Sequence, residues 1–271
     1  MKIWLRNLIG LAAISAGSTA LLLAIEPATA QSSSYHHPRL IGTDNPDLNG
    51  IWQAVNTANW DIRPHAAGPS ALPDLLGAIS AVPAGLGVVE GNEIPYQPWA
   101  SDKQRENFEG RLTRPLDRET NETTGDPEAK CYMPGVPRAT YLPHPFQIVQ
   151  TQSQVFIAYE FASAARIIHM DSQPPAPAPS WMGWSIGHWE GNTLVVEVTD
   201  QTELTWFDRA GNFHSDALRV TERYTPITPN HLHYEALIED PNVFTRPWTI
   251  SMPLYRRMEP NAQLLEFKCI E

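Results

Sequence analysis

Four ionisable side chains fall where strand alternation or loop context could give them chemistry to do: Glu222, His214, Glu160 and His169. In the run 217–224, Leu218, Val220, Glu222 and Tyr224 share one face, and Arg219, Thr221 and Arg223 share the other. Glu222 is therefore a carboxylate on the apolar face of a strand. Such a group must be paired or take up a proton, and burial pushes its pKa up. It reads either as a general acid or base, or as half of a structural ion pair with an inward arginine from a neighbouring strand. Glu160 carries the same two readings, because neither Val155, Ile157, Tyr159 and Phe161 nor Phe156 and Ala158 form a plainly wet face. His169 stands between Ile168 and Met170, just before Asp171. His214 closes the aromatic loop Trp206-Phe-Asp-Arg-Ala-Gly-Asn-Phe-His, where Asp208 or Asp216 could complete a proton shuttle at neutral pH.

A second group of residues suits ligand contact. Arg138, Arg166 and Tyr234 could serve as anion or oxyanion partners. His144, before Pro145, stands at the mouth of a hairpin, and Asp208 lies in the aromatic loop. Trp189, Trp206 and Trp248, with Tyr224, lie in or beside strand ends, where rings can stack on a flat apolar ligand or a sugar face. Core packing is the other reading of these aromatics. His231-x-His233-x-Glu235 has a metal-chelating pattern. Leu232, Tyr234, Ala236 and Ile238 claim the apolar face of that strand, however, and turn the histidines into water, so neither a metal nor a cofactor is expected. There is no G-x-S-x-G, P-loop, G-x-G-x-x-G or H-E-x-x-H. His214-Ser215-Asp216 contains triad residue types, but a triad is assembled in space and adjacency does not indicate one.

The elements that must position these groups are strands. Gly50-Ile-Trp52 opens a first run. Phe146–Gln150 and Val155–Phe161 are separated by Thr-Gln-Ser-Gln and read as a hairpin. Arg166–Asp171 follows, and then the polyproline stretch Pro174–Pro179, which can only be an extended loop. Runs between Trp181 and Asp240, then Trp248–Tyr255 and a last pass over Leu264–Cys269, complete an antiparallel meander of about nine or ten strands. The expected fold is all-β, with closure into a barrel of about 8–10 strands removing the sheet edges. Residues 56–130 interrupt this pattern as an irregular, Pro- and Gly-rich, lid-like insertion. It contains one short helix over 99–109, which Ser101 or Asp102 can cap and Gly110 can end.

The first thirty residues read as a cleaved signal peptide. Lys2 and Arg6 precede an apolar run from Leu8 to Ile25, and Ala28-Thr29-Ala30 is an A-x-A cleavage site. A periplasmic or secreted chain beginning at Gln31 is expected, with no membrane insertion afterwards. Residues 31–47 form a loose lead-in, and 48–271 form one barrel domain. Removing Lys2, Arg6 and Glu26 leaves 17 basic and 29 acidic residues. This acidic balance argues against nucleic acid as a partner. Cys131 and Cys269, in an oxidising compartment, are expected to pair as a disulfide.

Several phrases resemble a large set of exported bacterial proteins. These are Pro46-Asp-Leu-Asn-Gly-Ile-Trp52, Pro145–Gln150, Arg166–Asp171, Gly187–Glu197, His214–Tyr224, and Glu239-Asp-Pro241 with Arg246–Thr249. The resemblance implies a lipocalin-like, calycin-type barrel, which agrees with Gly50-x-Trp52, in which the Gly permits a tight approach and the Trp plugs the closed end. It implies no particular activity. The reading that follows is a monomeric barrel holding a hydrophobic or aromatic small molecule in its cavity. The alternative is a cofactor-free acid–base enzyme (lyase, isomerase or hydrolase) on the same scaffold.

Overall fold

The computed structural model describes residues 37–70, 74, 81–111, 125–170 and 174–267. The expected signal peptide and Cys269 lie outside those residues. Nine strands close into a barrel in chain order, and the ninth returns to the first. They are β1 (Gly50–Ala54), β2 (Phe146–Gln150), β3 (Gln154–Tyr159), β4 (Ala165–Met170), β5 (Trp184–Glu190), β6 (Thr193–Thr199), β7 (Arg219–Thr228), β8 (His231–Glu239) and β9 (Trp248–Arg256). The expected all-β barrel is thus present.

Period-two alternation sets which residues enter the core. Val196, Glu222, Ala236 and Ile250 are successive cross-strand partners on β6 to β9, and all four are fully buried. His231 and His233 turn outward, as alternation requires, with His233 Nε2 3.7 Å from Glu235. The expected pass over Leu264–Cys269 forms no strand within its described part, 264–267.

Every neighbouring pair is antiparallel except β4–β5, where Ile168 faces Ser185 and Met170 faces Gly187 in parallel register. This departs from a purely antiparallel meander. A parallel pair needs a crossover of a dozen or more residues, and the polyproline run supplies an extended one.

The two ends of the barrel differ. One carries the tight hairpins between β2 and β3, β5 and β6, and β7 and β8. Trp52 closes it: its indole donates to the Leu48 carbonyl (3.0 Å), and Arg256 lies 4.2 Å above its ring. Gly50 sits at φ +144, where an added Cβ would collide with the Arg256 guanidinium. The glycine is what admits that arginine.

The opposite end collects the long connections: 55–145 between β1 and β2, 200–218 between β6 and β7, and 240–247 between β8 and β9. In the first of these, α1 (Pro98–Gly110) extends the expected helix by a residue at each end. Ser101 and Asp102 do not cap it. Gln97 holds that position without a side-chain bond, and Pro98 starts the helix, its fixed φ and missing N–H suiting the first helical position. The helix docks on the β6–β7 loop through Gln104 Nε2 to Ala210 O (2.5 Å) and Asn107 Nδ2 to Gly211 O (3.3 Å). A short turn of helix, α2 (Arg138–Tyr141), is fully buried beneath the same end.

Candidate functional site

Inside the barrel, β4, β7 and β8 bring together Arg166, Glu222, Tyr224 and Tyr234. Arg166 grips both Glu222 oxygens, at 2.6 and 2.9 Å. Its remaining N–H groups go to Tyr159 Oη (3.1 Å), Ser185 Oγ (3.3 Å) and Tyr224 Oη (3.0 Å). All five guanidinium donors are therefore used. Glu222 Oε1 also accepts from the hydroxyls of Tyr224 (2.9 Å) and Tyr234 (2.8 Å). Burial alone would pull Arg166 down, but Glu222 raises it well above its ordinary value. Burial, reinforced by Glu222, pushes both tyrosines up. The inward carboxylate is thus the structural ion pair, with Arg166 as its partner. A fully buried group locked by four donors is not poised to exchange protons with a substrate.

A second polar network lies at the loop-rich end. Arg138 Nη1 and Nη2 clamp Asp126 at 2.8 and 3.0 Å, and Nη2 reaches Glu128 at 2.6 Å. Arg209 takes Glu128 from the other side, through Nε (2.8 Å) and Nη2 (2.6 Å), while stacking 4.4 Å over Trp60. Burial would raise Glu128, but Arg138 and Arg209 together pull it below its ordinary value. Asp208 is fully buried and accepts from the backbone of Ile62 (2.8 Å), Ala210 (2.9 Å) and Asn212 (3.2 Å), and from Asn212 Nδ2 (2.5 Å). Burial, together with the nearby Asp61 charge, pushes its carboxyl up to about 7. By holding the Ile62 and Ala210 amides it pins the insertion onto the β6–β7 loop.

Over this network lies a cavity of about 800 Å³, a volume suited to a drug-sized ligand. None of its lining residues belongs to a strand. Aromatic walls come from Trp60, Phe108, Phe161 and Phe267, and polar groups from Asp61, His65, Arg111, Asp126, Glu128, His144 and Arg209. Phe161 and Phe267 meet at 4.7 Å with their rings tilted, and His144 lies within 5.6 Å of both rings. His65 donates Nδ1–H to Arg63 O (2.9 Å), which leaves Nε2 buried and without a partner.

Of the candidate catalytic and ligand-contact residues singled out from sequence, His144 lines this cavity, as does Cys131 of the expected disulfide. The His144 side chain reaches Glu160: its Nδ1 is 3.4 Å from that carboxylate, whose other oxygen accepts from the Leu265 amide (2.8 Å). Arg138 and Asp208 sit one layer behind the wall. His214 is buried elsewhere. Its Nδ1 donates to Ser215 O (2.8 Å), so Nε2 accepts from the Thr205 hydroxyl (2.6 Å). No hydrogen bond joins it to Asp208, and Asp216 is exposed. Burial lowers its pKa. His169 lies on the outer side of β4, stacked on Trp184 at 4.3 Å. Trp206 is buried, and Trp248 is wedged edge-on against Phe207 and Phe244. Trp189 packs against the core.

Sequence reasoning passed over Trp60, Asp61, His65, Phe108, Arg111, Asp126, Glu128 and Arg209. One signal was available: Trp60-Asp-Ile-Arg-Pro-His65 concentrates aromatic and ionisable types inside an otherwise small-residue, Pro-rich stretch. Fold and site define a closed nine-stranded barrel with an aromatic-walled cavity at its loop-rich end. No family model, curated protein or solved structure matches the chain.

Proposed function

We propose that this chain is a small-molecule-binding barrel, and that its ligand is a hydrophobic or aromatic compound held in the cavity between the insertion and the barrel end. The observation that carries this reading is the cavity itself. Four aromatic rings wall it, and its carboxylates are already committed to arginines. The Arg166–Glu222 cluster and the apolar side chains around it are buried inside the barrel, so binding belongs at the end of the barrel rather than along its axis. The likeness to exported lipocalin-like proteins supports the barrel scaffold, and the signal-peptide pattern supports export. Among the described residues no helix is long and apolar enough to cross a membrane.

Native mass spectrometry of the protein purified from the periplasm tests the proposal in one experiment. A monomer starting at Gln31, lacking two thiol hydrogens through a Cys131–Cys269 disulfide and carrying a bound small molecule, is the expected species. Among the described residues no cysteine is free. A mass with nothing bound, in protein that also fails to bind a naphthalene probe, refutes the ligand. A second reading is favoured by one feature, the 3.4 Å approach of His144 to Glu160 at the cavity edge. In that reading the same pocket carries out acid–base chemistry, with His144 as the proton carrier. Conversion of the co-purified compound that His144→Gln abolishes, while binding persists, would select it.

A further inference from the structure

Resting on the cavity reading above, we propose that the ligand is a monoanion: an aromatic or otherwise apolar carboxylic acid whose head group is taken by Arg111. The argument is one of charge matching around the wall. Both oxygens of Asp126 are held by Arg138, and Glu128 is shared between Arg138 and Arg209. Asp61 is engaged by Arg63 Nε and Nη2, at 3.1 Å each. Arg209 is spent on Glu128 and lies 4.4 Å over the Trp60 ring. Every lining carboxylate therefore has its guanidinium, and one of the two lining guanidiniums has its carboxylate.

Arg111 is the other. It follows the last residue of α1, lies 3.8 Å over the Phe108 ring and donates through Nη1 to the Phe108 carbonyl. Among the described residues it forms no ion pair. Burial lowers its pKa, and the pull of Asp126 opposes that only from a distance. The contact with the Phe108 ring and the bond to the Phe108 carbonyl hold the guanidinium against the helix end, and its remaining N–H groups stay available for a planar anion. A carboxylate matches that geometry through charge-assisted hydrogen bonds. The surrounding Asp61, Asp126 and Glu128 make a second negative charge unfavourable, which argues against a phosphate monoester. The aromatic walls and the volume suit the apolar body of such an acid.

Isothermal titration calorimetry of the full mature chain with 2-naphthoate and with its neutral isostere 2-naphthamide tests this. The expected result is that the acid binds about tenfold or more tightly than the amide, the worth of a hydrogen bond to a charged group. Arg111→Met should remove most of the acid's advantage over the amide, and Arg111→Lys should keep part of the preference. Equal affinity for the two probes in the unaltered protein overturns the carboxylate assignment and leaves the cavity reading standing, as does an acid preference that survives in Arg111→Met. If neither probe binds, the assignment and the cavity reading fall together. The acid-to-amide comparison in the unaltered protein does not depend on how well the variants fold.

Discussion

Replacing Glu222 by Gln removes one charge from the lumen while nearly preserving volume, and it separates a structural ion pair from a catalytic carboxylate. In the native protein the Glu222 carboxylate accepts two bonds from Arg166 and one each from Tyr224 and Tyr234. In Glu222→Gln a single amide oxygen replaces those two acceptors, and the amide NH₂ confronts a guanidinium that is still charged. Breaking a buried pair on one side costs about 3–5 kcal/mol, because the surviving charge stays desolvated. Against a total stability of about 5–15 kcal/mol this is a large fraction. At about 2–4 °C per kcal/mol for a chain of this size, the midpoint should fall by about 6–20 °C. Guanidinium chloride unfolding followed by tryptophan fluorescence at pH 7 measures the loss, and naphthoate titration of the folded variant reads the site. The variant should unfold early yet bind the probe as the native chain does, since neither Arg166 nor Glu222 lines the cavity. A loss below about 1 kcal/mol would contradict the reasoning about the pair. A folded variant with lost affinity would move the binding site into the lumen.

Two further perturbations address other parts of the structure. Gly50→Ala places a Cβ against the Arg256 guanidinium at a φ of +144 that other residues rarely adopt. It should cost about 1–3 kcal/mol and expose Trp52 to acrylamide quenching, whereas an unchanged midpoint would show that Arg256 can step aside. His214 has a folded-state pKa below its ordinary 6.5 because burial disfavours the imidazolium. Its neutral form thus contributes stability that is present above about pH 6.5 and lost as pH falls through the folded pKa. His214→Gln should flatten the fall in urea stability below about pH 6.5; an unaltered slope would mean that another group sets it.

Much of the barrel was legible because strand alternation is a local property. The face sorting of β7 placed Glu222 inward and raised an arginine partner as one of its two readings, and Gly50-x-Trp52 marked the closed end. The polyproline run could be read as extended, yet nothing local says that it returns the chain to make β4 and β5 parallel. The expected final strand over 264–269 carries a suitable local pattern, but its described part, 264–267, forms no strand.

What the sequence by itself determined is therefore the type of element, its face and its approximate bounds, since these follow from the two-residue period of a strand and from the turn chemistry at its ends. Only the tertiary structure decided which arginine meets Glu222, because Arg166 lies 56 residues away and reaches it through barrel closure. It also decided where a ligand could fit. The cavity is assembled from Trp60, Phe108, Asp126, Arg209 and Phe267, residues on connections that carry no periodic signal. They converge because α1 docks on the β6–β7 loop and because Asp208 ties the Ile62 and Ala210 amides together. Long-range hydrogen bonds of that kind leave no mark in local spacing.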